Sequence, residues 1–250
     1  MIIPIWKPLG DSTHQLAKLV GIRNNTKATH TGTLDPMAQG VIVVLTCEDR
    51  FKKGTFTNWK KTYEFEVLFG VSTDSLDLLG LQNDINTKYI DTAKIKEEIV
   101  NLLSSFVGKQ TQKQPHFSSQ RVEGKSGFDL AKENKKFTLK TNEIEIFSLE
   151  MINIKEINIA DLKNEITKKI SLVSGDFRQN EILSNWDATF HTLEKYGVNS
   201  LPVFKFSATV SKRTYIRSLT KSISEKIKMS ATTFSISRIQ EGPYSKRECS

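Results

Sequence analysis

The sequence predicts an α+β fold, with a central mixed or antiparallel sheet flanked by helices, on three observations. Polarity alternates residue by residue in two distant segments, 62–70 and 203–210, as half-buried strands require. Between them Ile95, Ile99, Leu102, Leu103 and Phe106 recur at the spacing of one helix face. Strand-like and helix-like runs interleave without a regular β-α-β rhythm, and alternating rather than continuously apolar strands suit partly exposed antiparallel pairing.

The elements follow in order. A short apolar start meets Lys7-Pro8-Leu9-Gly10, which reads as a turn, and Asp11 or Ser12 caps a helix carrying Leu16, Leu19 and Val20 on one face. That helix leads to His30-Thr31-Gly32-Thr33-Leu34-Asp35-Pro36, closed by Gly40 and followed by the apolar run Val41 to Leu45. A residue before proline is pushed out of the helical region, so Asp35 is expected in one extended conformation, a fixed acid at a strand entrance. Taken alone, Asp-Pro is also ordinary turn punctuation.

In the strand at 62–70, Tyr63, Phe65, Val67 and Phe69 share the mainly apolar face and Glu64, Glu66 and Leu68 the other. Residues 74–80 form a loop before the helix that starts near Ile95. Gln114-Pro115-His116-Phe117-Ser118-Ser119 reads as a turn leading to Arg121, with a short helix at 128–132 and strand-like runs at 144–154. After the strand at 203–210 comes the basic segment Lys212-Arg213-Thr214-Tyr215-Ile216-Arg217, then a helix to Ile227. No Pro/Gly/Ser-rich linker divides the chain, which predicts a single catalytic domain over 1–250. The region near 176–200 is expected to be a peripheral insertion, its Trp186, Phe190 and Leu193 packing a helix on the main body.

Composition narrows the class. No apolar stretch approaches a membrane span of roughly 18 residues, and the N-terminus lacks a signal peptide's basic start, so a cytoplasmic protein is expected. Cys47 and Cys249 are the only cysteines, with no CxxC pair, which argues against a disulfide scaffold or a structural metal site. Thirty-six Lys and Arg against 28 Asp and Glu give a net charge of +8 and favour a polyanionic partner, RNA or DNA before a membrane surface.

Four ordered motifs, Lys7-Pro8-Leu9-Gly10, the His30 to Pro36 stretch with Gly40-Val41, Lys61-Thr62-Tyr63, and Arg213-Thr214-Tyr215-Ile216-Arg217, closely resemble the bacterial tRNA pseudouridine synthase B family. Leu68-Phe69-Gly70-Val71-Ser72-Thr73-Asp74 looks like the family's LGxxTDT stretch, and Gln114 to Ser119 with Val122-Glu123-Gly124-Lys125 adds to the likeness. The resemblance covers most of 1–132 and 203–244. It implies a pseudouridine-synthase-type catalytic domain that isomerises uridine-55 in the T-loop of tRNA, with no cofactor, no metal and no obligatory protein partner.

By the same resemblance Asp35 is the essential aspartate. Arg217 matches the active-site arginine, there to pair with Asp35 and fix its direction. Tyr63 matches the active-site tyrosine, presenting an aromatic face to the flipped uracil, and His30 the histidine that stacks in the opened T-loop. Ile236 aligns with an apolar residue lining the uracil pocket, if Arg238 and Gly242-Pro243-Tyr244 fall on the family's closing motif. Lys7 and Lys61 either support the active-site loop or meet RNA phosphates.

The chain departs from the family in several places. Asp11-Ser12 stands where two serines are frequent, which puts local capping in question. Arg213 replaces a usual glycine, and Phe128 a common tyrosine. Many members of the family continue into a small RNA-binding domain of PUA type, and by the resemblance none is expected within residues 1–250, which implies a smaller tRNA footprint. Two other readings compete with a tRNA isomerase: a protein that chiefly opens and refolds the tRNA elbow, and a synthase acting on another RNA.

Overall fold

Strand β4 (Lys61–Phe69) carries the alternation read from the sequence, and its apolar face, Tyr63, Phe65, Val67 and Phe69, is buried. It lies in the middle of the sheet because β-branched and aromatic residues meet it from both sides. Antiparallel to it on one side runs β11 (Ser200–Val210), where Phe206 opposes Phe65 and their rings stack at 5.3 Å. On the other side runs β12 (Ala231–Glu241), also antiparallel.

The computed structural model describes residues 1–118, 121–122, 125–126 and 138–249. The helix expected at 128–132, Phe128, Ser119 and the Glu123-Gly124 part of the resemblance lie outside the described residues. The remaining elements are β1 (Ile2–Lys7), α1 (Thr13–Arg23), β2 (Ala28–His30), β3 (Ala38–Thr46), a 3-10 turn (Cys47–Lys52), α2 (Lys53–Thr57), β5 (Val71–Thr73), β6 (Gln82–Ile85) and α3 (Thr92–Leu103). There follow β7 (Gly108–Lys113), β8 (Arg121–Val122), β9 (Lys125–Ser126), β10 (Thr141–Asn158), α4 (Ile159–Ser171), α5 (Gln179–Lys195), α6 (Ile216–Ile227) and β13 (Tyr244–Ser245).

The main sheet has the order β1-β3-β12-β4-β11-β10-β7, with β2 on β3 and β13 on β12. Its pairs are antiparallel except β3 with β12, which run parallel at Ala38↔Ile236, so the sheet is mixed and the expected α+β class holds. That parallel contact is close. Gly40 has φ +131°, and a Cβ there would overlap the Arg238 backbone, so only glycine allows β3 and β12 this approach.

Helix α1 corrects one expectation. Leu19 is exposed and Leu16 only partly buried, while Thr13, Ala17, Val20 and Gly21 form the buried stripe. Small residues fit here because α1 lies tightly on the turn before β2 and on β2 itself, where a Cβ at Gly21 would sit 2.7 Å from the Thr26 carbonyl and 3.1 Å from Ala28 Cβ. Ser12 caps α1 by accepting from the Gln15 amide at 3.4 Å, so Asp11-Ser12 still supplies a cap.

The region at 176–200 folds as α5 against α4, burying Trp186, Phe190 and Leu193 as their spacing suggests. Its Trp186 indole donates to the Leu78 carbonyl at 3.1 Å, which ties the helix to the loop at 74–80.

Candidate active site

The Asp35 loop is fastened at several backbone points. Thr13, from the start of α1, donates its hydroxyl to the Leu34 carbonyl and accepts the Leu34 amide at 3.0 Å. The Gly10 amide donates to the Pro36 carbonyl at 2.9 Å, and the Ala38 amide closes a turn on the Asp35 carbonyl at 3.0 Å. With its backbone held from both sides, the loop directs the Asp35 carboxylate outward, where its side chain is 26% exposed.

Arg217 meets that carboxylate from the first turn of α6. Its Nε donates to Asp35 Oδ2 at 2.9 Å, Nη1 to the Ser75 carbonyl at 2.8 Å and Nη2 to the Phe117 carbonyl at 2.7 Å. A second carboxylate, Asp77, stands 3.5 Å from the same Nε. Burial opposes the Arg217 charge, but Asp35 and Asp77 together hold the guanidinium above its usual value. For Asp77 burial outweighs Arg217 and the Ser75 hydroxyl, so its carboxyl lies above the usual range. The first turn of α6 is itself oriented by Gln112 on β7, whose amide accepts from the Tyr215 N–H at 2.8 Å and donates to the Tyr215 carbonyl at 3.1 Å.

Beneath the loop lies a buried charged layer. Arg238 on β12 donates to the carbonyls of Val41 at 2.6 Å and Gly32 at 3.2 Å, and pairs with Glu241 at 3.1 Å. Glu241 accepts the Thr31 hydroxyl at 2.6 Å and faces Lys61 Nζ at 3.5 Å. Lys61 also donates to the carbonyls of Thr57 and Trp59, and Lys7 to those of Ala38 at 2.6 Å and Pro8 at 3.0 Å. Burial lowers the pKa of both lysines, that of Lys7 to about 8. Lys7 is fully buried and Lys61 nearly so, with both ammonium groups turned inward onto backbone carbonyls. That geometry fits support of the loop and not an outward contact with phosphate.

Asp35 sits on the rim shared by two cavities. One, of about 480 Å³, contains His30, Asp77, Phe117, Phe177 and Arg217. The other, of about 280 Å³, contains Tyr63, Ile236, Lys61, Arg213 and Tyr215. Tyr63 and Ile236 reach it from adjacent strands, β4 and β12, with the Tyr63 hydroxyl 3.5 Å from Arg238. Burial raises the Tyr63 phenol above its usual value and the Tyr215 phenol to about 12, so both are neutral at physiological pH. His30 is pushed down to about 4 by burial and by the cations Lys53 and Arg238, and its Nδ1 has no hydrogen-bond partner among the described residues.

The structure thus brings Asp35, Arg217, His30, Tyr63 and Ile236 around one loop, with Lys7 and Lys61 behind it. Reading the sequence missed Asp77 and the Arg238–Glu241 pair. Asp77 lay in a stretch with ordinary loop composition. Arg238 and Glu241 interrupt a strand, a signal that edge strands also give. Arg213 has φ +64°, which accounts for glycine being usual there.

A family profile described as TruB family pseudouridylate synthase (N-terminal domain) matches residues 19–175. The chain is 37% identical over 156 residues to a tRNA pseudouridine synthase B of Rickettsia felis, covering 62% of this chain and 45% of that protein. It is 31% identical over 185 residues to one of Caldicellulosiruptor saccharolyticus, covering 69% and 63%. With one of Aquifex aeolicus the figures are 33% over 150 residues, 60% and 51%. The aligned part therefore spans about half the length of these relatives. A chain in a crystal structure of a Cbf5-Nop10-Gar1 complex shares the fold with a TM-score of 0.57 at 17% identity, over 98% of this chain and 50% of that one. A chain of an H/ACA RNP bound to a substrate RNA containing 2′-deoxyuridine gives 0.56, also at 17% identity, over 98% and 48%.

Proposed function

The chain belongs to the TruB family of pseudouridylate synthases, and from that premise we propose that it converts uridine-55 in the T-loop of tRNA to pseudouridine. The reading treats residues 1–250 as one catalytic unit working on the T-arm in the cytoplasm, without a cofactor. The observation that carries it is the Asp35 carboxylate, fixed by Arg217 at the junction of two cavities and open to solvent on its outer side.

The reaction conserves every atom. The glycosidic C1′–N1 bond breaks, uracil turns in place, a C1′–C5 bond forms, C5 gives up a proton and N1 takes one. Asp35 acts at the sugar or base, either as a nucleophile or by removing a sugar proton, and both routes start from a carboxylate aimed by Arg217. The nucleotide must leave the stack for that carboxylate to reach it. In this reading the smaller cavity takes the flipped base against the Tyr63 ring and Ile236. The neutral His30 stacks in the space that base leaves in the loop, since an uncharged ring suits stacking without a counter-ion. Lys7, Lys61, Arg238 and Glu241 are positioning residues that stiffen the floor of the loop.

Incubating the protein with unmodified tRNA and mapping pseudouridine at nucleotide resolution tests the proposal. Product is expected at position 55, and none from Asp35→Asn, which keeps its fold and its tRNA binding. Product at another uridine would overturn the substrate, and product from Asp35→Asn would overturn the role of the aspartate. Undiminished tRNA refolding by Asp35→Asn would add a folding activity beside catalysis.

A further inference from the structure

A third cavity, of about 510 Å³, opens on the outer side of α1 and β2, and it shares His14 and His30 with the larger catalytic cavity. Its cationic walls are Lys18, Lys27, Arg50 and Lys53, and no acidic residue among the described residues lines it. Lys18 and Lys27 are exposed and make no ion pair among the described residues. Lys53 donates to the Thr29 hydroxyl at 3.2 Å and Arg50 to the Cys47 carbonyl at 3.2 Å, bonds that fix their direction without neutralising them. Glu48 and Asp49 belong to the 3-10 turn that carries Arg50, and Asp49 is occupied by the N-terminal ammonium at 3.0 Å. Beside Arg50 the Phe51 ring is 81% exposed, with the Arg50 guanidinium 4.9 Å from its centroid.

Cations held in a groove without counter-charge suit a row of phosphates, and an exposed aromatic capped by arginine offers a face to an unstacked base. We propose that this groove is a phosphate-binding track, taking the RNA strand that leaves the catalytic cleft past His30. The proposal rests on the isomerase reading for the identity of the RNA. Charge and continuity with the cleft select the occupant: the two cavities meet at the His14–His30 wall, so a strand seated at Asp35 has a cationic path onward. Phosphate contacts of this kind set register and orientation, not the chemistry.

The test is the salt dependence of binding to an unmodified T-arm hairpin, measured at equilibrium in the Asp35→Asn background, with single-turnover rates measured beside it in the otherwise native chain. Lys18→Gln with Lys27→Gln is expected to reduce the slope of log K against log salt by about 1.4–1.8, as two lost phosphate contacts do, and to weaken binding on the order of tenfold at 0.1 M salt. The single-turnover rate at saturating hairpin should stay within about twofold of native, because neither lysine touches the reacting atoms. Lys94→Gln with Lys96→Gln removes the same charge from α3, which packs on β10 toward the opposite edge of the sheet. An unchanged slope in the Lys18/Lys27 variant, or an equal loss in the α3 variant, would overturn the track. Absence of pseudouridine from the native protein would instead overturn the isomerase reading, and the binding slopes would still decide the groove.

Discussion

Arg217 Nε and Asp35 Oδ2 are 2.9 Å apart across 182 residues of sequence, and the same nitrogen is 3.5 Å from Asp77. One guanidinium therefore serves two carboxylates of unlike exposure, Asp35 at 26% and Asp77 at 7% for the side chain. The arrangement fixes the outer carboxylate by anchoring the arginine to the inner one and to two carbonyls.

Arg217→Lys keeps the charge but not the fork that reaches Asp35, Ser75 and Phe117 together. The variant should lose about 1–3 kcal/mol of stability in urea titration. Its single-turnover rate should fall on the order of 10²-fold or more because the carboxylate loses its direction. Native-like turnover by Arg217→Lys would remove the guanidinium geometry from the mechanism.

His30 supplies the pH dependence. Its folded pKa of about 4 lies below the unfolded value of about 6.5, because burial and then Lys53, Arg238 and His14 oppose its charge, with Glu241 acting the other way. The unfolded chain binds the extra proton, so the stability contribution is complete above about pH 6.5 and is lost as pH falls toward 4. The slope is at most about 1.4 kcal/mol per pH unit, reduced by the partial exposure of the ring. Denaturation at stepped pH should show this fall in the native protein and a flatter profile in His30→Gln.

Arg213 occupies the left-handed region at φ +64°, with its carbonyl accepting from the Asn142 amide at 3.2 Å. Arg213→Gly relieves that backbone at the cost of unfolded-state entropy and should stay within about 1 kcal/mol of native. Arg213→Val, with a branched Cβ in the same conformation, should be destabilised by more than about 1 kcal/mol in the same urea titration. Equal stability of the two variants would remove the backbone explanation.

Trp186 links α5 to the Asp77 loop through its bond to Leu78, and it is 1% exposed. Trp186→Phe should cost about 1–3 kcal/mol from the lost hydrogen bond and the space it leaves. If the helix steadies Asp77, the single-turnover rate of the folded variant should fall about severalfold with little change in tRNA affinity. A stability loss without any change in rate would confine α5 to packing.

The amphipathic strands were legible because period-two polarity is a local property: Tyr63 to Phe69 read the same in sequence and in space. Helix α1 was legible as a helix but not in its facing, since the choice between Leu19 and Ala17 as buried residue depends on how closely β2 approaches. For Lys7 and Lys61 the sequence left loop support and a phosphate contact both open. Their burial comes from carbonyls supplied by Pro8 and Ala38 and by Thr57 and Trp59, three of which belong to loop or strand backbone that no periodicity marks.

By itself the sequence determined the strands at 62–70 and 203–210, the helices α1, α3, α5 and α6, the constrained Asp-Pro loop and the ordered motifs that single out Asp35, because these depend on local sterics and on polarity repeating along the chain, whereas β7, β12 and α4 were not read from it. Only the tertiary structure decided that Arg217 is shared with Asp77, that Arg238, Glu241 and Lys61 form a charged floor, and that His30 joins a basic groove to the catalytic cleft. Those relations depend on the order β3-β12-β4 and on α6 reaching the loop, which bring distant charges out of water and next to one another. Burial and pairing energies arise between segments, and no single segment carries them.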